Sequence, residues 1–305
     1  MTLSQTQAKE GWSRRRFLTV TGAMAAGGTV LAPLEARERT EDDWVDVNAS
    51  IGQWPLRRLP LDAPDRLAAK LRQLGVSQAW IGTLEGVLSK DIPAANQRLA
   101  AACHQNSAFH WVPFGSINPT LPSWEHELDR CKHTHRMGGI RLHPSYHGYA
   151  LNDSRFHALL ARAARLQLVV QIAWIMEDER MMHPRLRVDP VDLAPLMDTL
   201  RAAPGLRLVI LNGLRTLKGP QLLKLMAAGN VSIDIAMLEG VAGLETLLGQ
   251  LPSNRLLMGT HAPLFYPEST LLKLKESELP AQARRHLLRE NARQLLRFSD
   301  TPAPG

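Results

Sequence analysis

The sequence predicts an α/β protein folded as a single (β/α)8 barrel closed by a C-terminal helix, on three observations. From Trp44 onward, short apolar or β-branched runs alternate with amphipathic helical stretches. Most of the runs are nearly continuous apolar segments, the signature of parallel strands covered on both faces. There are eight such units, and a barrel of this kind needs about 250 residues, which a chain of 305 residues supplies after a leader is set aside. A doubly wound open sheet is the rival, but no Gly-x-Gly-x-x-Gly follows the first run.

In order, the predicted strands are 45–48, 79–83, 111–116, 139–143, 169–173, 208–212, 231–236 and 256–259. Helical patterns separate them at 65–74, 92–105, 122–136, 154–166, 190–202, 220–228, 241–248 and 267–274, and a last one covers 281–297. Several of these helices open on proline, which suits a first turn where an N–H is not needed. The stretch 176–189 after the fifth strand is a long loop, and loops of that length are often functional.

Hydrophobic residues make up 45% of the chain and charged residues 21%, an ordinary globular composition. The formal charge is +7, but four basic and two acidic residues lie in the first 36. No basic cluster is interleaved with aromatics, which argues against nucleic acid as a partner. The segment Ser13-Arg-Arg-Arg-Phe-Leu18, followed by a weakly apolar run rich in Gly, Ala and Thr, resembles a twin-arginine export signal. The expected organisation is therefore a signal peptide over 1–36 and a barrel over 37–305. The export machinery is then a partner, the location is periplasmic, and no membrane association follows cleavage. Cys103 and Cys131 fit two buried thiols better than a disulfide, and no Cys-x-x-Cys pattern suggests zinc. Homo-oligomerisation stays open.

The predicted strands end in polar residues. The first gives Asn48 and Ser50, the second Thr83, the third Asn118, the fourth Arg141 and His143, the fifth Gln171, the sixth Asn212, the seventh Asp234 and the eighth His261. Burying such groups unpaired costs ~1–3 kcal/mol each, so their convergence at one rim implies a polar cavity. Chemistry in such barrels sits at that rim. His261 is a candidate general acid or base, since an imidazole titrates near neutrality. Asp234 on the neighbouring strand is a candidate partner that orients it. Arg141 and His143, two residues apart on one strand, share a face, where the guanidinium is expected to clamp a carboxylate. Histidines 126, 133 and 135 read as surface residues of one charged helix.

Several segments, taken in order, resemble the amidohydrolase-related proteins (amidohydrolase family 2). They are Asp46-Val-Asn-Ala-Ser-Ile-Gly52, Gly138-Gly-Ile-Arg-Leu-His-Pro144, Leu208-Val-Ile-Leu-Asn-Gly213, Gly259-Thr-His-Ala-Pro263 and the closing Asn291-Ala-Arg-Gln-Leu295. The resemblance covers roughly 44–298 and implies a barrel with metal ligands at strand ends. At those positions this chain has Asn48 and Ser50 for two histidines, Gln171 and Asn212 for two more, and His261 for the aspartate that serves as general base. Neutral amides and a hydroxyl are poor zinc ligands, so no cofactor is predicted. The alternative is a divalent metal at a non-standard site built from His143, His183, His261 and Asp234. The substitutions keep polar groups at the rim, which favours a retained ligand pocket over an inert scaffold.

The expectation is an amidohydrolase-like hydrolase of a small, anionic molecule, working without metal. In that reading His261 activates water, and Arg141, His143, Asn48, Ser50, Gln171 and Asn212 bind the substrate and developing oxyanion. Family members include hydrolases, lactonases and decarboxylases. The alternative is a pseudoenzyme, a periplasmic barrel that binds a ligand or partner without turnover.

Overall fold

The computed structural model describes residues 43–203 and 205–297; the predicted export signal lies outside them. Eight strands, β1 (Trp44–Ile51), β2 (Val76–Thr83), β3 (His110–Ser116), β4 (Gly139–Leu142), β5 (Val169–Ala173), β6 (Leu208–Leu211), β7 (Val231–Asp234) and β8 (Leu256–Leu257), form one sheet in sequence order. All seven consecutive pairs are parallel. The seam closes through Val47 N–H to Met258 O at 2.9 Å, His261 N–H to Asn48 O at 2.7 Å and Ser50 N–H to Ala262 O at 2.8 Å. The fold is the TIM barrel that the alternation of runs predicts.

Helices fill the crossovers. The long ones are α1 (Pro64–Gln73), α3 (Ile92–Gln105), α4 (Trp124–His133), α6 (Ser154–Arg165), α8 (Gly219–Ala227) and α10 (Glu268–Glu276), with shorter α7 (Leu196–Ala202) and α9 (Gly243–Leu248). α1, α3 and α8 carry proline in the first turn, and Asp91 and Asp153 cap α3 and α6 by accepting backbone N–H groups. Two one-turn helices escaped the periodicity because four residues show no period: α2 (Glu85–Leu88) and α5 (Pro144–His147). The predicted helix 190–202 shrinks to α7, since Pro190 and Pro195 interrupt its start. The predicted final helix runs as α11 (Ala281–Arg285), a π turn over His286–Glu290 and α12 (Asn291–Arg297).

The barrel interior has two layers. The lower is apolar: Val45, Val47, Trp80, Phe114, Val169, Val209 and Leu257, sealed below by Ala292 and Leu295 of α12. Trp80 and Phe114 stack there with centroids 4.9 Å apart. Asn291 ties this closing helix to β8, its amide donating to Leu256 O and Ser253 O, both at 2.8 Å. The upper layer, toward the strands' C-terminal ends, is polar. A register shift in β1 between Asp46 and Ala49 changes the phase of the strand. Val45 and Val47 join the lower layer, and one step later Asn48 joins the polar one. Bulges near functional sites commonly re-aim a side chain in this way.

Cys103 and Cys131 are both free thiols, and burial raises both pKa values, Cys103 to about 12. No described helix is long and apolar enough to cross a membrane.

Candidate active site

Four side chains form a hydrogen-bonded line across the upper layer. Asp234, at the end of β7, accepts the Asn212 backbone N–H at Oδ1 and the Asn48 amide at Oδ2, both at 2.7 Å. The Asn48 amide also donates to Asn212 Oδ1 at 2.7 Å. The Asn212 amide donates to Ile175 O at 2.8 Å and lies 3.4 Å from His261 Nδ1 and 3.5 Å from Nε2, a weak edge contact. His261 Nε2 lies 2.7 Å from Met176 O. A carbonyl only accepts, so this nitrogen carries the proton and Nδ1 holds the lone pair. Asn212 and His261 both take left-handed backbone angles, φ 63° and 57°. Non-glycine residues pay a steric penalty there and such residues gather at functional sites.

The electrostatics follow from burial. His261 is 2% exposed, and desolvation lowers its pKa to about 4, with the Arg141 and Arg57 charges acting in the same direction. It is therefore neutral at pH 7 and able to accept a proton. Asp234 is fully buried, and desolvation raises its carboxyl to about 6 against the hydrogen bonds that favour its charge. Asp46 staples the seam, accepting Asn48 N–H at 2.9 Å, Thr260 N–H at 3.0 Å and the Thr260 hydroxyl at 2.6 Å.

The expected pairing of Asp234 with His261 is thus indirect: the two are joined through Asn48 and Asn212. Arg141 departs further from expectation. Its Nε donates to Gln171 Oε1 at 2.8 Å and Nη1 to Ala49 O at 2.8 Å and Ser50 Oγ at 3.0 Å. Nη2 donates to Val47 O and Trp80 O at 3.4 and 3.3 Å. All five N–H donors of the guanidinium are engaged inside the barrel, so Arg141 is no open clamp for an anion. The amides of Asn48 and Asn212 and Nε2 of Gln171, which donates to Val47 O at 2.8 Å, are likewise engaged, where the sequence suggested substrate contacts.

Above this layer the mouth is covered. Trp54, Leu59, Leu84, Val87, Ala173, Met176 and Leu264 form an apolar cluster over it. The loop after β5 supplies Met176, and then Glu177, 3% exposed, whose Oε1 lies 3.3 Å from Arg57 Nη2. Around the rim, His143 Nδ1, Tyr146 Oη and Trp174 Nε1 are buried polar atoms without a protein partner. Tyr146 meets Trp54 edge to face at 6.1 Å. Burial lowers the His143 pKa well below its ordinary value, and the Arg141 charge acts in the same direction. Glu177 lies in the loop 176–189 that the sequence marked as functional, whereas Trp54 and Arg57 were missed as site residues in sequence. The signal was the Trp54-Pro-Leu-Arg-Arg58 turn after β1, an aromatic and two bases on a rim loop. Asn118 caps its own turn, accepting from Thr120. A cavity of about 870 Å³ opens at the opposite, N-terminal end between Lys132, Arg136 and Arg297, away from these groups.

A family model described as amidohydrolase matches residues 45–298. The chain belongs to the amidohydrolase family. Among curated proteins, none matches it. Among solved structures, it is similar to a 2,6-dihydroxybenzoate decarboxylase from Rhizobium, with 13% identity over 84% of this chain and 99% of that one and a TM-score of 0.67. It is also similar to a 5-carboxyvanillate decarboxylase from Novosphingobium aromaticivorans with bound manganese, at 14% identity, 84% and 97% coverage and TM-score 0.65. A third is a probable 2-pyrone-4,6-dicarboxylic acid hydrolase from Acinetobacter baumannii, at 15% identity, 84% and 100% coverage and TM-score 0.60. At these identities the likeness establishes the fold.

The amidohydrolase family implies a metal, and the residues of this chain do not fit one. Asp234 is the one carboxylate among Asn48, Ser50, Gln171, Asn212, Asp234 and His261, and both its oxygens already accept N–H groups. Gln171 Oε1 and Ser50 Oγ face the cationic Arg141. The alternative set is not brought together either. His183 is exposed and accepts Arg185 N–H, and among the described residues no cluster of three or more His, Cys, Asp or Glu is placed to hold a metal.

Proposed function

We propose that this amidohydrolase is a hydrolase- or lyase-type enzyme acting on a small carboxylate, with His261 as acid–base group and no metal in the chemical step. The observation that carries this reading is the neutral, buried His261 at the end of the Asp234–Asn48–Asn212 line. A neutral base buried beside polar groups that orient it, its Nδ1 lone pair touched by only a weak Asn212 contact, is a recurring catalytic unit. The relatives in fold support the substrate class: they are decarboxylases of 2,6-dihydroxybenzoate and 5-carboxyvanillate and a probable hydrolase of a dicarboxylic acid. The cation for the substrate is Arg57, at the mouth rather than in the barrel. In the covered state the Glu177 carboxylate holds it, and a substrate carboxylate takes that place when the loop 176–189 lifts. His143, Tyr146 and Trp174 then offer their unpartnered polar atoms from the rim. In the hydrolase form water attacks a carbonyl, His261 Nδ1 takes its proton and returns it to the leaving group as the acyl bond breaks; in the lyase form the C–CO2⁻ bond breaks, CO2 leaves, and the carbon takes a proton that Nδ1 has first picked up from solvent. We also propose export to the periplasm by the twin-arginine route, on the Ser13–Leu18 motif.

The test is a panel of aromatic and heterocyclic carboxylates and their lactones assayed with wild type, His261→Gln and Arg57→Ala. His261→Gln is expected to lose turnover by ~10²-fold or more while melting like wild type, and Arg57→Ala to raise KM more than it lowers kcat. Ligands that shift the melting temperature without turnover by any variant would sink the enzyme reading in favour of a binding protein.

A further inference from the structure

We propose that the Arg141 guanidinium is the resident cation of this barrel, a covalently attached replacement for the metal of the amidohydrolase family. The inference rests on the interior geometry and not on the assignment of turnover. Arg141 is 2% exposed and rises from β4 into the layer where the family resemblance places the ligands. Two of the residues at ligand positions, Ser50 and Gln171, accept its hydrogen bonds at 3.0 and 2.8 Å. Backbone oxygens of Val47, Ala49 and Trp80 complete the shell. The acceptors come from β1, β2 and β5, so the guanidinium ties together strands from both sides of the barrel.

Room for it is built into β2. A Cβ on Gly82 would stand 2.8 Å from Arg141 Nη1 and 3.1 Å from Cζ, so a side chain there would displace the cation. Burial lowers the Arg141 pKa to about 10, still far above neutrality, and two buried carboxylates, Asp46 and Asp234, act against that fall as its counter-charge. The guanidinium fork suits such a role better than an ammonium, because its five donors lie in fixed directions and it is weakly hydrated. A divalent ion entering the same dry layer would meet a fixed positive charge and acceptors already occupied. The substitutions at 48, 50, 171 and 212 are in this view a matched set: Ser50 and Gln171 accept from the cation, Asn48 donates to Asp234, and the Asn212 side-chain oxygen accepts from Asn48.

The experiment measures melting temperature and bound metal for the full chain purified without affinity histidines, as wild type, Arg141→Met, Arg141→Ala and Arg141→Lys. Wild type is expected to hold no stoichiometric divalent metal and to melt unchanged in EDTA, MnCl2 or ZnCl2. Arg141→Met is expected to melt about 6–20 °C lower, since removing one partner of a buried charge network is strongly destabilising in a domain of this size. Methylguanidinium is expected to return part of the loss in Arg141→Ala and none in wild type. If the neutral variants do not accumulate, Arg141→Lys, with three donors for five, is expected to fold and melt below wild type. A saturable rise of the wild-type melting temperature with MnCl2 or ZnCl2, one tightly held metal per chain, or wild-type melting by Arg141→Met or Arg141→Lys would overturn the proposal. None of these readouts depends on turnover, so the proposal fails separately from the role given to His261.

Discussion

Among single residues, the buried titratable groups have opposite signs. Burial raises the Asp234 carboxyl from 3.8 to about 6, so its contribution favours the fold below its unfolded value and is lost as pH rises through about 6. His261 is lowered from 6.5 to about 4. Its contribution is complete above 6.5 and is lost as pH falls through about 4, and His143 is shifted in the same direction. His143, His147 and His261 are lowered by burial against the raised carboxyls of Asp46, Asp234 and Glu177, while Asp178 and Glu268 are lowered by their cations, so wild type is expected to lose melting temperature as pH falls from 6.5 to 4. Asp234→Asn removes one opposing contribution and is expected to steepen that loss; a flatter profile in this variant would contradict the assignment. Gly82→Ala is expected to cost about 1–3 kcal/mol, the usual penalty of overpacking, because its new methyl meets a guanidinium that five hydrogen bonds hold in place. Denaturant unfolding measures it, and wild-type stability would remove the steric argument.

Among elements, the loop after β5 makes the contacts that cover the site. Its backbone oxygens at Ile175 and Met176 take hydrogen bonds from Asn212 and His261, and Glu177 pairs with Arg57. Glu177→Ala removes the ionic latch while leaving the two backbone contacts. Faster amide exchange over 176–186 with unchanged exchange in β5 and β6 is the expected result, and unchanged exchange in the loop would show that the ion pair does not hold it. The strands and long helices were legible in the sequence because their apolar periods are set by the same burial that builds the barrel. The closing Asn291-Ala-Arg-Gln-Leu295 segment was legible too, and its reason is physical: Asn291 binds β8 and Leu295 seals the lower layer. The site was legible only as a list. Asn48, Ser50, Gln171, Asn212, Asp234, Arg141 and His261 do share one layer, but their partners depend on the β1 register shift and on two positive-φ residues. Strand alternation carries neither, so Arg141 read as a clamp and Arg57 went unnoticed.

For the whole molecule, the proposed resident cation predicts a barrel that folds without metal loading. The proposed export to the periplasm rests on the Ser13–Leu18 motif. Replacing Arg14 and Arg15 by lysine is expected to keep the protein in the cytoplasmic fraction of cells expressing the full chain, with the wild type released by periplasmic extraction. Equal distribution of the two would contradict twin-arginine export.

The proposal that this barrel works around His261 and a fixed arginine instead of a metal is tested by wild-type turnover of the carboxylate panel after exhaustive dialysis against EDTA, with and without added MnCl2. Turnover that survives the chelator and is indifferent to manganese is the predicted result. Turnover abolished by EDTA and restored by manganese would contradict it.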